Sequence, residues 1–548
     1  MKSSVGHLER WVRIAVMGLI AVQAILLGLS LRRKSPTADE LNYLAAGVAA
    51  WRTGDFRLFR DPPPAQSLLC SIPSIWTKPE LPLDSPFWSS GRWNGFGDAF
   101  AQVNRDTILI MVFAGRCVAI VLACAVSLAS YVLARRLFTP LVALAVTGLC
   151  VFDPNLAAHG RLVTTDIGAT LAYLLVALAL SNWLSCPSRR ALLLLSLATG
   201  LACLFKHSGL LLVPCGVGCL AWVGVRSESS FMEVIAAGLM FILGIALVIW
   251  LGYGCESVDP VSQRFFPLAS YLHGVATQWS HARSGQPSYL LGQFSTQGWW
   301  YFYPAIFLMK TPVGTLFLLL IGVLHLIRDR ARWRVMVPVL FPAMALLAAL
   351  VFMGRAAVGY RHLLPALPLL LICLGGTAIR ALAVHGHLGK AIIAGSMIWL
   401  LAAHGFIWPH YLAYFNELVG GPGNGHLCAV DSNLDWGQDL PLVTEYVRRY
   451  PNGPVGLVYF GSALLPELLA VPAIPIDKWA DAVPERVAVS ATALHGVSSG
   501  GRLNLWPLFA DQQPLDMLGW SILVYKTPDS WRQQHAGSEE NPNRGGER

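Results

Sequence analysis

The sequence predicts an α-helical polytopic membrane protein with a small extracytoplasmic α/β domain at its C-terminal end. Three observations predict it. Of 548 residues, 55% are hydrophobic and only 13% are charged, against roughly a quarter charged in soluble domains, and mean hydropathy is +0.54. Long apolar runs alternate with short basic turns as far as residue 409. From Asp439 onward the pattern changes to an amphipathic helix and short strands. A soluble enzyme is excluded. Although the net charge is +9, the Lys and Arg residues lie in short turns rather than in one run, which is the mark of membrane topology and not of a nucleic-acid partner.

Crossing a hydrocarbon core of ~30 Å takes roughly twenty apolar residues, and about eleven runs approach that length. They are Trp11–Leu31, Ile108–Ala134, Leu137–Phe152, Val163–Leu184, Ala191–Phe205, Gly209–Val225, Phe231–Leu251, Val313–Ile327, Val335–Met353, Leu363–Ile379 and Ala391–Trp408. The first has basic flanks but no small-x-small cleavage site, so it reads as a retained signal anchor. With the N-terminus inside, the inner turns collect Arg135-Arg136, Arg189-Arg190, Arg226, Arg328 to Arg334, Arg380 and Lys390, as the positive-inside rule requires. Arg32-Arg33-Lys34 falls outside against that rule. Either it contacts lipid phosphates, or the parity is wrong.

The outer face then receives segments 35–106 and 254–303 and everything after Pro409. Leu41–Trp51 has helical apolar spacing and is expected to lie in the membrane interface. Asp439–Tyr450 reads as a helix, and Val455–Phe460, Arg486–Ala491 and Trp520–Tyr525 as strands. The predicted division is residues 1–409 in the membrane part with its outer loops, 410–527 in the α/β domain, and a disordered polar tail over 528–548. Of eleven cysteines most sit in apolar runs, where Cys acts as a small hydrophobe; a disulfide among Cys70, Cys255 and Cys428 is left open. Gly420–Gly425 neither follows a strand nor carries a phosphate-loop Lys and reads as a linker.

Beside the first run stand Asp39 and Glu40. Carboxylates next to a bilayer keep their charge only with a compensating partner, which makes them site candidates; the competing reading is acidic residues in the first turn of a helix. Asp61, Asp153, His159, Arg161, Asp166, Lys206, Lys310, Arg361 and His362 fall on the same side, at the ends of different runs, and together describe one polar cavity. Each has a plainer role: Arg161 and Lys206 as interfacial side chains, Lys310 as the anchor of a span, His159 as an ordinary loop histidine. Such a cavity suits a carboxylate that takes a proton from a hydroxyl and cations that neutralise a phosphate leaving group. Asp39 fits the first task; Arg361, Lys206, Lys310 and Arg161 fit the second. The aromatic stretch Trp299–Tyr303 reads as an interfacial belt or a sugar platform. Asp431–Asp439 offers oxygen ligands without EF-hand spacing, or a capped helix start.

Several of these pieces form motifs. Asp39-Glu40 is followed by Tyr43, Gly47, Gly54-Asp55 and Asp61-Pro62-Pro63; Asp153-Pro154 by His159-Gly160-Arg161 and Thr164-Thr165-Asp166. Lys206-His207-Ser208-Gly209, Lys310-Thr311-Pro312 and Tyr360-Arg361-His362-Leu363-Leu364-Pro365 complete the set, with Pro409–Glu417 and Asp431–Asp439 beyond. Jointly they resemble the GT-C membrane glycosyltransferases of the protein O-mannosyltransferase and aminoarabinose-transferase type, glycosyltransferase family 39 in the broad sense, in a bacterial subgroup. One departure is Asp61, where many members carry His before Pro-Pro. The resemblance implies inverting transfer of a hexose or pentose from a polyprenyl-phosphate donor at the outer (periplasmic) face of a bacterial plasma membrane. It implies Asp39 as base, with Glu40 orienting it or the acceptor, and donor-phosphate or acceptor binding by Asp61, His159, Arg161, Asp166, Lys206, Lys310, Arg361 and His362. The acceptor, a protein, lipid or glycan, is not specified. No cofactor is required, and a divalent cation between Asp39 and Asp166 stays open. Two other classes compete: a transporter or flippase for a lipid-linked substrate, with charges lining a path near mid-membrane, and an assembly protein whose C-terminal domain recruits partners.

Overall fold

The computed structural model describes residues 2–529 apart from 353, 354, 356, 452 and 476–483; residues 530–548 of the expected tail lie outside the described residues. The apolar runs fold as helices, because only intrachain hydrogen bonding satisfies backbone groups in hydrocarbon. Among the described residues, length and composition identify seven as long and apolar enough to span: Gly6–Leu31, Ile108–Leu137, Thr165–Ser185, His207–Arg226, Phe231–Gly252, Ala331–Phe352 and Gly386–Ile407. An eighth arises if Phe302–Lys310 and Val313–Arg328, bent by 119°, count as one span; Pro312, which cannot donate to the helical ladder, lies in the break. The other expected runs form shorter helices: Arg189–Phe205 at 17 residues, Pro140–Val151, and Leu367–Ala383, the last interrupted by a π turn at Leu371–Gly375. The chain is thus a multi-pass membrane protein.

Boundaries follow local chemistry. Ser188 caps the helix beginning at Arg189 by accepting from the amide of Ala191, and Ser230 with Glu233 forms a full capping box at Phe231. At one end of the bundle basic side chains gather: Arg135 Nη2 lies 3.0 Å from Glu9 and Arg136 donates to Asn182 at 2.6 Å. The opposite end carries the extramembrane layer and the candidate site.

In that layer helix Glu40–Thr53 departs from expectation. It is covered by protein along most of its length instead of presenting one apolar face. Leu41, Leu44, Ala45, Ala46, Val48 and Ala49 are each at most 1% exposed. The reason is the small-residue face, which lets neighbours close in on several sides. A Cβ on Gly47 would collide with the carbonyl of Ser67 and the hydroxyl of Ser71, and one on Gly97 with the backbone of Asn42. Burial extends to Ala50, and the last turn, Trp51 to Thr53, is exposed.

The C-terminal region forms the expected helix, Leu440–Arg449, and a mixed sheet. Segment 254–301 contributes a hairpin, β1 (Ser288–Leu290) with β2 (Gln293–Ser295). The sheet contains β3 (Val455–Val458), β4 (Ile474–Pro475), β5 (Arg486–Ser490), β6 (Asp516–Leu518) and β7 (Ile522–Lys526), in the order β4-β3-β5-β7-β6. β3 runs parallel to β4 and β5, with Val455 opposite Arg486, whereas β7 is antiparallel to β5 and β6, with Val487 opposite Tyr525. Burial of every residue of β3 explains its unbroken apolar run. The cysteines are all free, so no disulfide joins Cys70, Cys255 and Cys428.

Candidate active site

The adjacent acids Asp39 and Glu40 face opposite ways. Asp39 is the N-cap of helix Glu40–Thr53, yet its carboxylate makes no capping hydrogen bond. It stays 26% exposed, with Arg361 Nη1 3.4 Å from Oδ2. Burial pushes its pKa above the usual carboxylate range, and Arg361 offsets only part of that rise. Glu40, fully buried, accepts from Arg116 Nε at 2.8 Å and from Arg116 Nη2, and from the amides of Thr37 and Val163 at 2.8 and 2.9 Å. Burial alone would raise its pKa; Arg116 and the amides outweigh that and hold it below the usual range. Glu40 therefore fastens the corner of the chain on which Asp39 sits.

Arg361 stands among carboxylates. Its guanidinium lies 4.5 Å over the ring of Trp436. Although burial opposes its charge, Asp166 and Asp39 raise its pKa further. Asp166, in the first turn of helix Thr165–Ser185, pairs with Lys206 at 2.6 Å, and His159 Nδ1 is 3.9 Å from Asp166 Oδ2. Burial lowers the pKa of Lys206 against the pull of Asp166. Burial likewise lowers His159 to about 3, and lowers His362 with help from the charges of Lys206 and Arg361, so both imidazoles are neutral at physiological pH. Asp153 caps helix Pro154–His159 by accepting from the amides of Asn155 and Leu156, and so places His159 at the end of that turn. Among the described residues Asp166 Oδ2, His159 Nδ1, His362 Nε2 and Arg361 Nε are buried without hydrogen-bond partners. Buried polar atoms are normally satisfied, so such a group of them marks a place for solvent or ligand.

Asp61 is at the rim, its carboxylate accepting from Trp93 Nε1 at 3.0 Å and Gln278 at 2.7 Å. Tyr43, whose ring centroid is 5.1 Å from that of Trp93, joins it to the cleft. Two expected phosphate ligands are placed elsewhere. Lys310 is 2% exposed and gives its ammonium protons to the carbonyls of Leu412, Tyr414 and Asn433, which leaves no donor for a phosphate. Arg161 lies 5.3 Å over Tyr411 and borders an internal void with Lys34, Thr37 and Arg116, facing Glu40 and Asp439 rather than Asp39. Burial and Arg116 lower its pKa to about 10.

Of the basic cluster that breaks the topology rule, Arg32 and Arg33 are exposed and only Lys34 is drawn into the protein. Lys34 is buried and paired with Asp439, with His410 Nδ1 at 2.6 Å. Burial lowers its pKa to about 8 against the attraction of Asp439. Of the aromatic stretch, Trp300 is 69% exposed while Tyr303 is buried, 6.3 Å from His362. Residues that sequence reasoning passed over include Arg116, whose signal was a lone Arg inside an apolar run, and Trp436. Asp431 is another. It adopts a left-handed φ of 58°, and burial pushes its pKa up to about 7 against the pull of Arg361. No group of three or more His, Cys, Asp or Glu placed to hold a metal occurs among the described residues.

Fold and site together define a multi-pass membrane protein with an ionised, partly unsatisfied cleft at one end of its helices. Residues 99–250 match the family model described as dolichyl-phosphate-mannose-protein mannosyltransferase. The likeness to glycosyltransferases read from the motifs therefore holds over that segment, which carries Arg116, His159, Arg161, Asp166 and Lys206. No curated protein matches the chain. Among solved structures, the chain is similar to ArnT from Cupriavidus metallidurans bound to undecaprenyl phosphate (TM-score 0.47, 13% identity) and in the apo state (0.47, 14%), covering 93% of this chain and 97% of that chain in both. At that score neither likeness bears on the chemistry.

Proposed function

We propose that this protein is a membrane glycosyltransferase that moves a hexosyl or pentosyl unit from a polyprenyl-phosphate donor to an acceptor hydroxyl on the outer face of a bacterial plasma membrane. The observation that carries the reading is the Asp39–Arg361 pair at 3.4 Å beside Lys206 and Asp166, a base and a cation set in one cleft. The mannosyltransferase match over residues 99–250 supports the class.

In the proposed reaction the acceptor oxygen forms a bond to the anomeric carbon as the bond from that carbon to the phosphate oxygen breaks, with inversion. The acceptor proton goes to Asp39, whose raised pKa makes it a better base than a solvent-exposed carboxylate. The electron pair leaves with the polyprenyl phosphate, whose oxygens Arg361 and Lys206 neutralise. Neutral His159 and His362 offer hydrogen bonds to sugar or acceptor hydroxyls without adding charge. No step calls for a metal. The acceptor is a protein, lipid or glycan.

The test is sugar transfer in membranes of cells lacking the gene, restored with wild type or Asp39→Asn, following radiolabel from polyprenyl-phosphate sugar into lipid, protein and polysaccharide fractions. Wild type is expected to restore one labelled fraction, which names the acceptor class, and Asp39→Asn at equal abundance to fail. Equal labelling by the two would remove Asp39 as base, and no gene-dependent fraction would remove the transferase reading.

A further inference from the structure

Trp436 is not among the residues that touch the proposed reaction, yet it is buried within the site beside them. It is 2% exposed, and its ring carries the Arg361 guanidinium at 4.5 Å and lies 6.2 Å from the ring of His159. Its backbone reaches the other half of the site. The carbonyl of Trp436 accepts from the amide of Ala38 at 3.0 Å, one residue before Asp39, and Ser35 bonds to the carbonyls of Gln438 and Gly437 at 3.0 and 2.8 Å. One short loop thus sets the backbone that leads into the base and the surface on which the cation rests.

The loop is tied at both ends to the C-terminal sheet. The Asp435 carboxylate accepts from the Ser490 hydroxyl, at the end of β5, and from the Thr492 amide at 2.9 Å. The Asp439 carboxylate accepts from the Ser521 hydroxyl, just before β7, at 2.7 Å and from Lys34. The anchors are buried, at 1% exposure or less. Connecting segments normally run over the surface, whereas this one is buried and held at both ends.

Resting on the proposed reading of the cleft, we infer that Trp436 is a positioning residue, held by the C-terminal sheet through Asp435 and Asp439, that sets Arg361 for the donor phosphate. The C-terminal layer is then part of the active site rather than an appended recruiting module. A guanidinium on an aromatic face keeps its edge free, so the plane of the ring fixes the direction in which the remaining N–H groups point.

The test uses the full chain in nanodiscs and undecaprenyl phosphate as the probe, so that neither sugar nor acceptor need be known. Variants are Trp436→Met and Trp436→Phe, each alone and with Arg361→Met. Losing the ring in Trp436→Met is expected to weaken binding about five- to thirtyfold, and Trp436→Phe to retain binding within about threefold. In the Arg361→Met background neither change should weaken binding further, whereas a merely structural tryptophan would cost the same in both backgrounds. Binding by Trp436→Met equal to wild type, or an equal loss in both backgrounds, overturns the inference while leaving the proposed clamp standing. Wild-type binding by Arg361→Met removes the clamp and the inference with it. Should Trp436→Met not accumulate in membranes, Trp436→Leu against Trp436→Phe gives the same comparison, and equal binding by those two overturns the inference.

Discussion

At the scale of single residues the sharpest feature is that two adjacent carboxylates have opposite surroundings. Asp39 caps nothing and meets Arg361 at a cleft, whereas Glu40 is fully buried against Arg116 and two amides. Asp39→Asn should therefore leave abundance and melting temperature near wild type and reduce transfer about 10²- to 10⁴-fold, the usual contribution of a general base. Glu40→Gln strands Arg116 without a counter-charge in a buried site, at a cost of about 3–5 kcal/mol. That is a large part of a typical stability of roughly 5–15 kcal/mol, so a fall in membrane abundance is expected first; immunoblotting beside the transfer assay separates the two phenotypes. Abundant, folded Glu40→Gln protein would refute the anchoring role. The pH dependence follows from the same pair. Burial raises the pKa of Asp39 and Arg361 lowers it in part, and a base acts only when ionised. Transfer should fall as pH drops through that raised pKa, and Arg361→Gln should move this acid limb to higher pH, because the charge that favours the carboxylate is gone. A limb that stays in place, measured as kcat/KM against pH, would show that another group titrates.

At the scale of elements, helix Glu40–Thr53 shows what the sequence could and could not disclose. Its apolar spacing predicted a helix correctly. Spacing says nothing about what covers a face, and the covering helices at Ala65–Ser71 and Trp93–Val103 are distant in sequence from any signal that names them as partners. The contact at Gly47 makes the packing testable. Gly47→Val forces a side chain against the Ser67 carbonyl and the Ser71 hydroxyl and should destabilise by about 1–3 kcal/mol or more, whereas Gly148→Ala, where nothing lies within 4 Å of the added carbon, should be neutral or stabilise by about 0.5–1 kcal/mol. Thermal unfolding in detergent checks both; a tolerated Gly47→Val would mean that these helices are not so close. The same limit governed the site. Asp39, Asp166, Lys206 and Arg361 were legible as candidates that the fold brings into one cleft, because charge at the end of an apolar run is costly and so conspicuous. Lys310 looked identical by that criterion, and only three carbonyls from residues 412, 414 and 433 distinguish a staple from a ligand. Trp436 was invisible for the converse reason, since an aromatic residue in a polar segment carries no signal of the cation it supports.

At the scale of the whole molecule, the question is whether the membrane part and the C-terminal layer are separable. Lys34, which follows the first span, is buried against Asp439, with His410 beside both. Breaking a buried pair by removing one partner leaves an uncompensated charge, while replacing both by apolar groups of similar size is often neutral. Lys34→Met and Asp439→Leu alone should each destabilise by about 3–5 kcal/mol and reduce abundance, and the double variant should recover most of that loss. Some cost should remain in the double variant, because Ser521 and Gln438 also donate to Asp439 and would lose an acceptor. Unfolding midpoints of the wild type, both singles and the double close the cycle. Additive losses would mean that the two charges are held independently and that the layers meet without depending on each other. Recovery means that the first span and the C-terminal layer fold as one unit. A chain cut after Ile407 should then fail to accumulate, since Lys34 loses Asp439 and Lys310 loses the carbonyls that hold it; a stable truncated chain would instead favour the view of an anchor carrying a separate recruiting domain.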